Sequence, residues 1–282
     1  MTVDDFVDQH RDRFSVQVLC RAARYSTSTY YARRRRQGSG RTDQDAALVA
    51  QIAKERRGKR RVYGRRRVRA GLRRRGLQVN HKRIARVMRS QGWYGIPVRR
   101  KPRSAEPVLA IHRNLVQRRF HAGSPNRLWM GDVKEIATGE GPIHLAAYED
   151  AFSRYVVGHA FSITNDTQLA AEALRKAVTS RRPQRGLIHH TDQGSPYLSW
   201  SHQGELERIG ALPSCSAPGT PLDNACIESF FSTLQRELLD DVTFSSRRQA
   251  IAEVTNWIRF YNRDRFHSTL GYLSPAEYER AQ

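Results

Sequence analysis

Apolar side chains at the start of the chain follow the three- and four-residue spacing of helices. The first stripe consists of Val16, Leu19, Cys20 and Ala23. Ser26 is placed to cap a second helix that runs from Thr27 toward Arg36. Two short helices around a tight turn, within residues 1–36, predict either a DNA-binding helix-turn-helix or a plain helical hairpin with a basic end.

Helical spacing returns in a second module over residues 45–95. Its apolar stripes are Leu48, Val49, Ile52 and Ala53, then Val68 and Leu72, then Ile84, Val87 and Met88. Asn80 is a good N-cap for the third helix, and Gly92 ends it. The pattern predicts three helices, preceded by a flexible linker over 37–44 and followed by a basic, proline-containing linker over 96–126.

Residues 127–282 alternate strand and helix patterns. Short apolar strands are expected at Leu128–Ile136, Ile143–Tyr148, Tyr155–Phe161, Gly186–His190 and Ala211–Ser216. Helices are expected at Thr167–Val178, Ser199–Ile209, Leu222–Leu239 and Arg247–Tyr261. This is the order of elements in a ribonuclease-H-like mixed sheet with flanking helices. The predicted fold class is therefore α/β, preceded by all-α helix-turn-helix modules.

Positive charge is concentrated ahead of this body. Met1–His121 carries 33 Lys and Arg against 8 Asp and Glu, whereas Ala122–Gln282 carries 16 against 19, within a net charge of +22. Between Arg56 and Arg103 there are 20 basic residues and no acidic one. Such a face repels itself unless a polyanion neutralises it, so the charge predicts binding to the phosphate backbone of nucleic acid. The DNA-binding candidates in this part are Arg33, Arg34, Arg65, Arg66, Lys82, Arg83, Arg86 and Arg89.

The compartment is indicated by what the chain lacks. Cys20, Cys215 and Cys226 have neither metal-ligand spacing nor an even number, which favours a reducing environment. No apolar run approaches the roughly 18 residues of a membrane span. The acidic start, residues 1–6, has no signal-peptide core. We expect a cytoplasmic, nucleoid-associated protein.

Three carboxylates occupy the chemically informative positions of the predicted sheet. Asp132 falls on the first strand, Asp192 in the turn after the fourth, and Glu228 on the helix after the fifth, with 35 residues between the last two. Taken singly, each is explained as a strand-end, turn or exposed helix residue. Together they would place three like charges in one cleft, which requires a cation. Hard oxygen ligands without a Cys or His set favour Mg²⁺, with Mn²⁺ able to substitute, and two ions can serve displacement at phosphorus.

Several neighbours of these acids have two interpretations. Asp223 is either a helix N-cap or a fourth ligand. His189 and His190 either complete the fourth strand or contact phosphate. Gln235 and Arg236, two turns beyond Glu228, either contact DNA or belong to an ordinary solvated face; Arg236 is retained as a DNA-binding candidate.

At this point the residues resemble a known family. The stretches concerned are Trp129–Asp132, His190–Ser195, Gly219–Leu234 and Tyr261–Pro275. They resemble the retroviral-integrase-type DDE transposases of bacterial insertion sequences, in particular the second-frame product of a two-frame transposase. The basic modules resemble that group's helix-turn-helix segments, so the likeness covers nearly the whole chain. The family's catalytic, metal-binding triad falls on Asp132, Asp192 and Glu228.

The resemblance implies a transposase that nicks DNA with water and then joins the freed 3′-hydroxyl, without a covalent enzyme intermediate, along a copy-out, paste-in route. Its implied partners are double-stranded DNA (terminal inverted repeats and target), further copies of itself on DNA, and a first-frame segment that normally precedes this chain. Two other functions stay open: a catalytically silent DNA-binding regulator of transposition, and a ribonuclease-H-like nuclease without strand transfer.

The chain departs from the family pattern at a few positions. Gly131 and Lys134 replace the threonines usual around the first Asp, and Gln193 and Pro196 are not the commonest turn residues. Gln235 stands where the family often has a lysine. None of these changes removes a member of the triad.

Overall fold

Two units make up the chain in the computed structural model, Met1–Tyr94 and Gly95–Gln282. The structure describes residues 2–37, 41–96, 114–117, 120–192, 194, 197, 199–216 and 224–282. Each unit is described below by itself. No helix in this described part of the chain is long and apolar enough to span a membrane.

The first unit is helical throughout. Its α-helices are α1 (Val3–His10), α2 (Val16–Ala22), α3 (Thr27–Gln37), α4 (Arg41–Glu55), α5 (Arg65–Arg74) and α6 (His81–Ser90), with a 3₁₀ turn at Gly58–Val62. Helix α1 was not predicted, although Val3, Phe6 and Val7 have helical spacing, because it is a short helix of which only Val7 is buried. A capping box between Thr2 and Asp5 starts it.

Residues of the predicted apolar stripes form the hydrophobic core where these helices pack together. Around α1 to α3 the buried side chains are Val7, Leu19, Cys20 and Tyr30. In the second helical group the buried stripe residues are Leu48, Ile52, Val68, Leu72, Ile84, Val87 and Met88. Asn80 caps α6 as predicted, since its side chain accepts a hydrogen bond from Lys82 N at 2.8 Å.

The linker predicted over 37–44 is shorter in the structure. Helix α3 includes Gln37 and α4 already begins at Arg41; residues 38–40 lie outside the described part. Helix α4 is held by the buried Leu48 and Ile52, and residues 41–47 extend it backward with good helix formers such as Arg, Gln and Ala. A local Gly-Ser-Gly signal could not reveal that extension.

The second unit is built on the predicted mixed sheet. Its strands are β1 (Leu128–Ile136), β2 (Ile143–Asp150), β3 (Val156–Ser162), β4 (Ile188–Thr191) and β5 (Leu212–Cys215). They lie in the order β3-β2-β1-β4-β5, with β1, β2 and β3 antiparallel and β4 and β5 parallel to β1. This confirms the α/β, ribonuclease-H-like fold class.

Helices flank this sheet. They are α7 (Thr167–Arg181), α8 (Trp200–Ile209), α9 (Ala225–Leu234), α10 (Arg247–Arg263) and α11 (Pro275–Arg280). Helix α7 packs closely on β3. The two backbones are so near at Gly158 that an added Cβ would lie 2.5 Å from the carbonyl oxygen of Ala173. Helix α9 continues into a π-helical turn, Gln235–Leu239, where the sequence predicted one unbroken helix.

Candidate active site

The register of the two central strands brings the first two acids to one edge of the sheet. Met130 on β1 lies beside His190 on the parallel strand β4. Asp132 comes two residues after Met130, and Asp192 comes two residues after His190. Both acids therefore lie just beyond the same end of the segment over which β1 and β4 pair. The order of elements had predicted this placement.

The start of α9 is tied to the same place. Asn224 precedes α9, and its side-chain amide donates a hydrogen bond to the carbonyl oxygen of Gly131 at 3.4 Å. Glu228 follows one turn later on α9. Sequence reasoning missed Asn224; the only signal was its position beside Asp223. Asp223 itself lies outside the described residues, as do Gln193 and Pro196.

The three carboxylates act on one another electrostatically. Burial first, and then the charges of Asp192 and Glu228, raise the pKa of Asp132 to about 7. The Val133 N–H, which donates to Asp132 Oδ1 at 2.8 Å, opposes the shift. Asp192 is exposed and Glu228 is half-buried. A nearby cation would favour the ionised form of Asp132 and relieve this repulsion.

Within the described residues, no three His, Cys, Asp or Glu side chains are gathered closely enough to hold a metal ion. The donor set nevertheless fits a hard divalent cation, because it consists of carboxylates, and burial and the charges of the other two raise the pKa of Asp132 although Lys134 opposes the shift. Asp192 also bonds its own turn, since Gly194 N donates to its Oδ1 at 3.0 Å. A cation would therefore draw the three side chains closer than they lie here.

The two histidines before Asp192 are interior residues of β4. His189 and His190 are both buried. The ring of His190 lies between two serine hydroxyls, with Ser214 Oγ 2.8 Å from Nδ1 and Ser216 Oγ 3.2 Å from Nε2. They therefore complete the strand, and their rings are not presented to a phosphate at the surface.

The basic candidates of α3 form ion pairs within their own unit. Arg33 lies 3.0 Å from Asp4, and Arg34 lies 3.1 Å from Asp8. On α9's π-helical extension, Arg236 donates to the carbonyl oxygen of Ser232 at 2.9 Å. The carboxylates therefore offset the charges of Arg33 and Arg34, whereas the bond of Arg236 to a backbone oxygen leaves its charge in place.

The candidates on α5 and α6 are more open. Arg83 and Arg86 share one carboxylate, Asp45, at 2.9 and 2.6 Å, so this group keeps a net positive charge. The exposed candidates outside this group are Arg65, Arg66, Lys82 and Arg89. This surface is the strongest phosphate-binding candidate in the first unit.

Gly131 is required by the packing beside Asp132. It lies opposite Tyr148 in the β1–β2 register, and an added Cβ would come 2.6 Å from Tyr148 Cδ1 and 3.1 Å from Thr191 Cγ2. The ring of Tyr148 is fully buried and cannot move aside freely.

We expect Gly131→Ala to destabilise the protein by about 1–3 kcal/mol, as overpacking does, and to reduce activity by displacing Asp132. Chemical denaturation of both proteins measures the first effect. Gly204→Ala is the matched control: no atom lies within 4 Å of its added Cβ, and alanine should stabilise helix α8. Equal stability of Gly131→Ala and wild type would contradict this account of the packing.

A cluster of buried polar rings lies between β2, β4 and α8. The ring centroids of His189 and His202 are 5.0 Å apart, and His202 also contacts Tyr197 at 5.6 Å. Among the described residues, neither ring nitrogen of His202 has a hydrogen-bond partner, nor has the Tyr197 hydroxyl. Burial lowers the pKa of His202 to about 4, although the charge of Glu205 opposes the shift.

This cluster makes the protein acid-sensitive. As the pH falls below 6.5, the unfolded chain protonates His202 while the folded protein does not, so stability is lost down to about pH 4. Replacing His202 by Phe should remove that loss. The free energy of unfolding of the variant, compared with that of wild type, should therefore rise by about 2 kcal/mol between pH 7.5 and pH 5. Urea unfolding at several pH values tests this; a difference independent of pH would refute it.

The mixed five-stranded sheet with flanking helices is the arrangement of an integrase core domain. Family models described as "Integrase core domain" match residues 122–221 and 210–275, and one described as "HTH-like domain" matches residues 42–102. The transposase for insertion sequence element IS904 of Lactococcus lactis is 38% identical over 77% of this chain and 87% of its own length. Transposase InsF for insertion sequence IS3A of Escherichia coli K12 is 36% identical over 97% of both chains. The chain belongs to the family of insertion-sequence transposases that includes the IS3 enzymes, which confirms the resemblance.

Among solved structures, the chain is similar to a simian T-cell lymphotropic virus intasome in complex with PP2A regulatory subunit B56 gamma, with 16% identity, coverage of 76% of this chain and 71% of that chain, and a TM-score of 0.49.

Proposed function

We propose that this transposase catalyses Mg²⁺-dependent cleavage at the 3′ ends of its insertion sequence and joins those ends to DNA by a copy-out, paste-in route. The observation that carries the proposal is the register of β1 and β4, which brings Asp132 and Asp192 to one end of adjacent parallel strands, with Asn224 at the start of the helix of Glu228 bonded to Gly131. The charges of Asp192 and Glu228 also contribute, after burial, to raising the pKa of Asp132. Three acids from distant parts of the chain thus act on one another at one edge of the sheet. Such a set is suited to a divalent cation facing a polyanion.

Each acid has a distinct role in this proposal. Asp132 and Asp192 would hold the ions, and Glu228 would complete the second site. Two bound ions would supply activation of the attacking oxygen and stabilisation of the leaving one. The chain itself orients the acids: the Val133 N–H holds Asp132, the Gly194 N–H holds Asp192, and Asn224 fixes the start of α9. Water is the nucleophile in nicking, and the freed 3′-hydroxyl is the nucleophile in joining.

The direct test supplies purified protein with its first-frame partner, Mg²⁺ and DNA carrying the ends that flank its own gene. The proposal expects nicked ends followed by joined products, both abolished by a chelator. Binding without any cleavage would instead support the silent regulator. Cleavage without joining, and without preference for the terminal repeats, would support the nuclease. Either outcome with a normally folded protein overturns the proposal.

DNA binding by the first unit can be tested separately. Combined replacement of the exposed cations Arg65, Arg66, Lys82 and Arg89 by Ala should weaken binding to duplexes of any sequence. The slope of log affinity against log salt should also become shallower, by about one for each phosphate that is no longer neutralised. Arg259→Ala, which removes an exposed cation of α10, is the control. An unchanged slope in the fourfold variant would remove this surface from the DNA interface.

A further inference from the structure

One tryptophan of the second unit is left almost entirely in solvent. Trp200, the first residue of α8, is 96% exposed, whereas Trp129 and Trp257 are fully buried. An indole carries a large apolar surface and is highly buried on average. Its exposure matters here because of where α8 begins.

Helix α8 follows the candidate active site directly along the chain: Gly194 N donates to Asp192 Oδ1 at 3.0 Å, and Tyr197 N donates to the carbonyl oxygen of Gly194 at 3.0 Å. Asp192 and Trp200 are the two ends of one short connection, with Tyr197 between them. Tyr197 is buried, and the charges of Asp132 and Asp192 contribute, after burial and Tyr148, to raising its pKa. Trp200 comes three residues later, so their Cα atoms are at most about 11 Å apart. Side chains of a helix tilt toward its N-terminus, which directs the indole toward the connection that carries Asp192.

The surroundings of Trp200 decide what kind of partner it suits. The exposed positions beside it on α8 are Ser201, Gly204, Glu207 and Arg208. A Cβ at Gly204 would meet no atom within 4 Å, so nothing covers the outer face of this turn. Among these described positions of α8, the apolar surface is thus a single indole, far smaller than the roughly 800 Å² per partner of a specific protein interface. One flat ring is the right size for one nucleobase.

We infer that Trp200 stacks on an unpaired base of the DNA strand that is processed at the candidate active site, an inference that rests on the proposed function. The base must be unpaired or at a strand end, because the faces of bases inside a duplex are already covered by their neighbours. Stacking depends on the π-face that every base has, so the contact tolerates any sequence. It would help to hold the strand end beside Asp192.

The experiment measures binding of the full chain, without divalent cation, to a duplex from the end of its own element with a short single-stranded overhang. Trp200→Ala should lower the affinity about 5- to 150-fold, the effect of about 1–3 kcal/mol for one stacked base, while Trp200→Phe keeps most of it. Binding should quench tryptophan fluorescence in wild type and in the control Trp93→Phe, but not in Trp200→Phe. Since the side chain is exposed, both Trp200 variants should melt like wild type.

The inference is overturned if Trp200→Ala binds the overhang as tightly as wild type, or if Phe loses as much affinity as Ala. Unchanged DNA affinity with altered sedimentation would assign Trp200 to a protein partner and likewise overturn it. Binding and quenching by a wild-type protein that never cuts DNA would remove the proposed function and leave the stacking contact in place.

Discussion

Replacing Asp192 by Asn is expected to abolish both nicking and joining of the element ends, lowering the rate by at least about 10³-fold, the scale on which removal of one member of a catalytic set acts. The same loss is expected for Asp132→Asn and Glu228→Gln, because each change removes a charged oxygen ligand while keeping the size of the side chain. DNA affinity should not fall, since each variant has one negative charge fewer beside a polyanion. Gel assays of cleavage and joining, with affinity measured in parallel, test all three.

Two comparisons make the result specific. Glu172→Gln removes a half-exposed carboxylate that pairs with Lys176 on the same helix, α7, and should leave the rates unchanged. Asp132→Asn should also be at least as stable as wild type when no divalent cation is present, because it removes a charge that is costly to hold there. Normal joining by Asp192→Asn would eliminate that residue from the mechanism, and with it the proposed metal site.

Strand β1 illustrates what the sequence makes predictable. Its observed bounds, Leu128–Ile136, are those predicted, because the segment lies between the turn formers Pro125-Asn126 and Gly139-Glu140-Gly141. Strand β2, by contrast, was predicted to end at Tyr148 but continues through Glu149 and Asp150, both fully buried. Charged residues at a strand end ordinarily indicate solvent. Only the folded chain supplies the partners that allow their burial.

Those partners range from two residues away to more than a hundred residues along the chain. Asp150 accepts hydrogen bonds from Asn126 N at 2.6 Å and Phe152 N at 2.9 Å. Glu149 accepts one from the Tyr261 hydroxyl at 3.2 Å, although burial still raises its pKa to about 7. A contact over more than a hundred residues has no local signature, so such strand ends escape sequence reasoning.

The candidate site likewise has features that the sequence predicts and features that depend on the folded chain. The positions of Asp132, Asp192 and Glu228 follow from the order of elements, which is a property of local patterns. The tie from Asn224 to Gly131, and the packing of Tyr148 over Gly131, depend on the register of the sheet and on the approach of α9. The sequence showed that Gly131 replaces the threonine usual in the family. It could not show the reason, which is the ring of Tyr148 on the neighbouring strand β2.

Arg265→Leu is expected to destabilise the protein by about 3–5 kcal/mol, more than Gly131→Ala does. Arg265 forms a bidentate pair with Glu237, at 2.9 and 2.7 Å, and their side chains are only 5% and 7% exposed. Its guanidinium also lies over the ring of Tyr261, 5.4 Å from the centroid. Removing Arg265 leaves the Glu237 carboxylate buried without its main counter-charge. The free energy lost in this way is larger than the net stabilisation that the ion pair provides.

The double variant Glu237→Leu/Arg265→Leu separates these two costs. Because neither charge then remains buried, it should recover most of the stability lost in the single variant. Arg208→Ala, which breaks a partly exposed pair with Glu205, should change the denaturation midpoint less than Arg265→Leu does. If the double variant were as unstable as Arg265→Leu, packing rather than charge would account for the loss.

Glu237 lies on the π-helical turn that continues α9, so this pair also anchors the helix carrying Glu228. Arg265→Leu should therefore lose joining activity even at temperatures where it remains folded, and the double variant should regain less activity than stability.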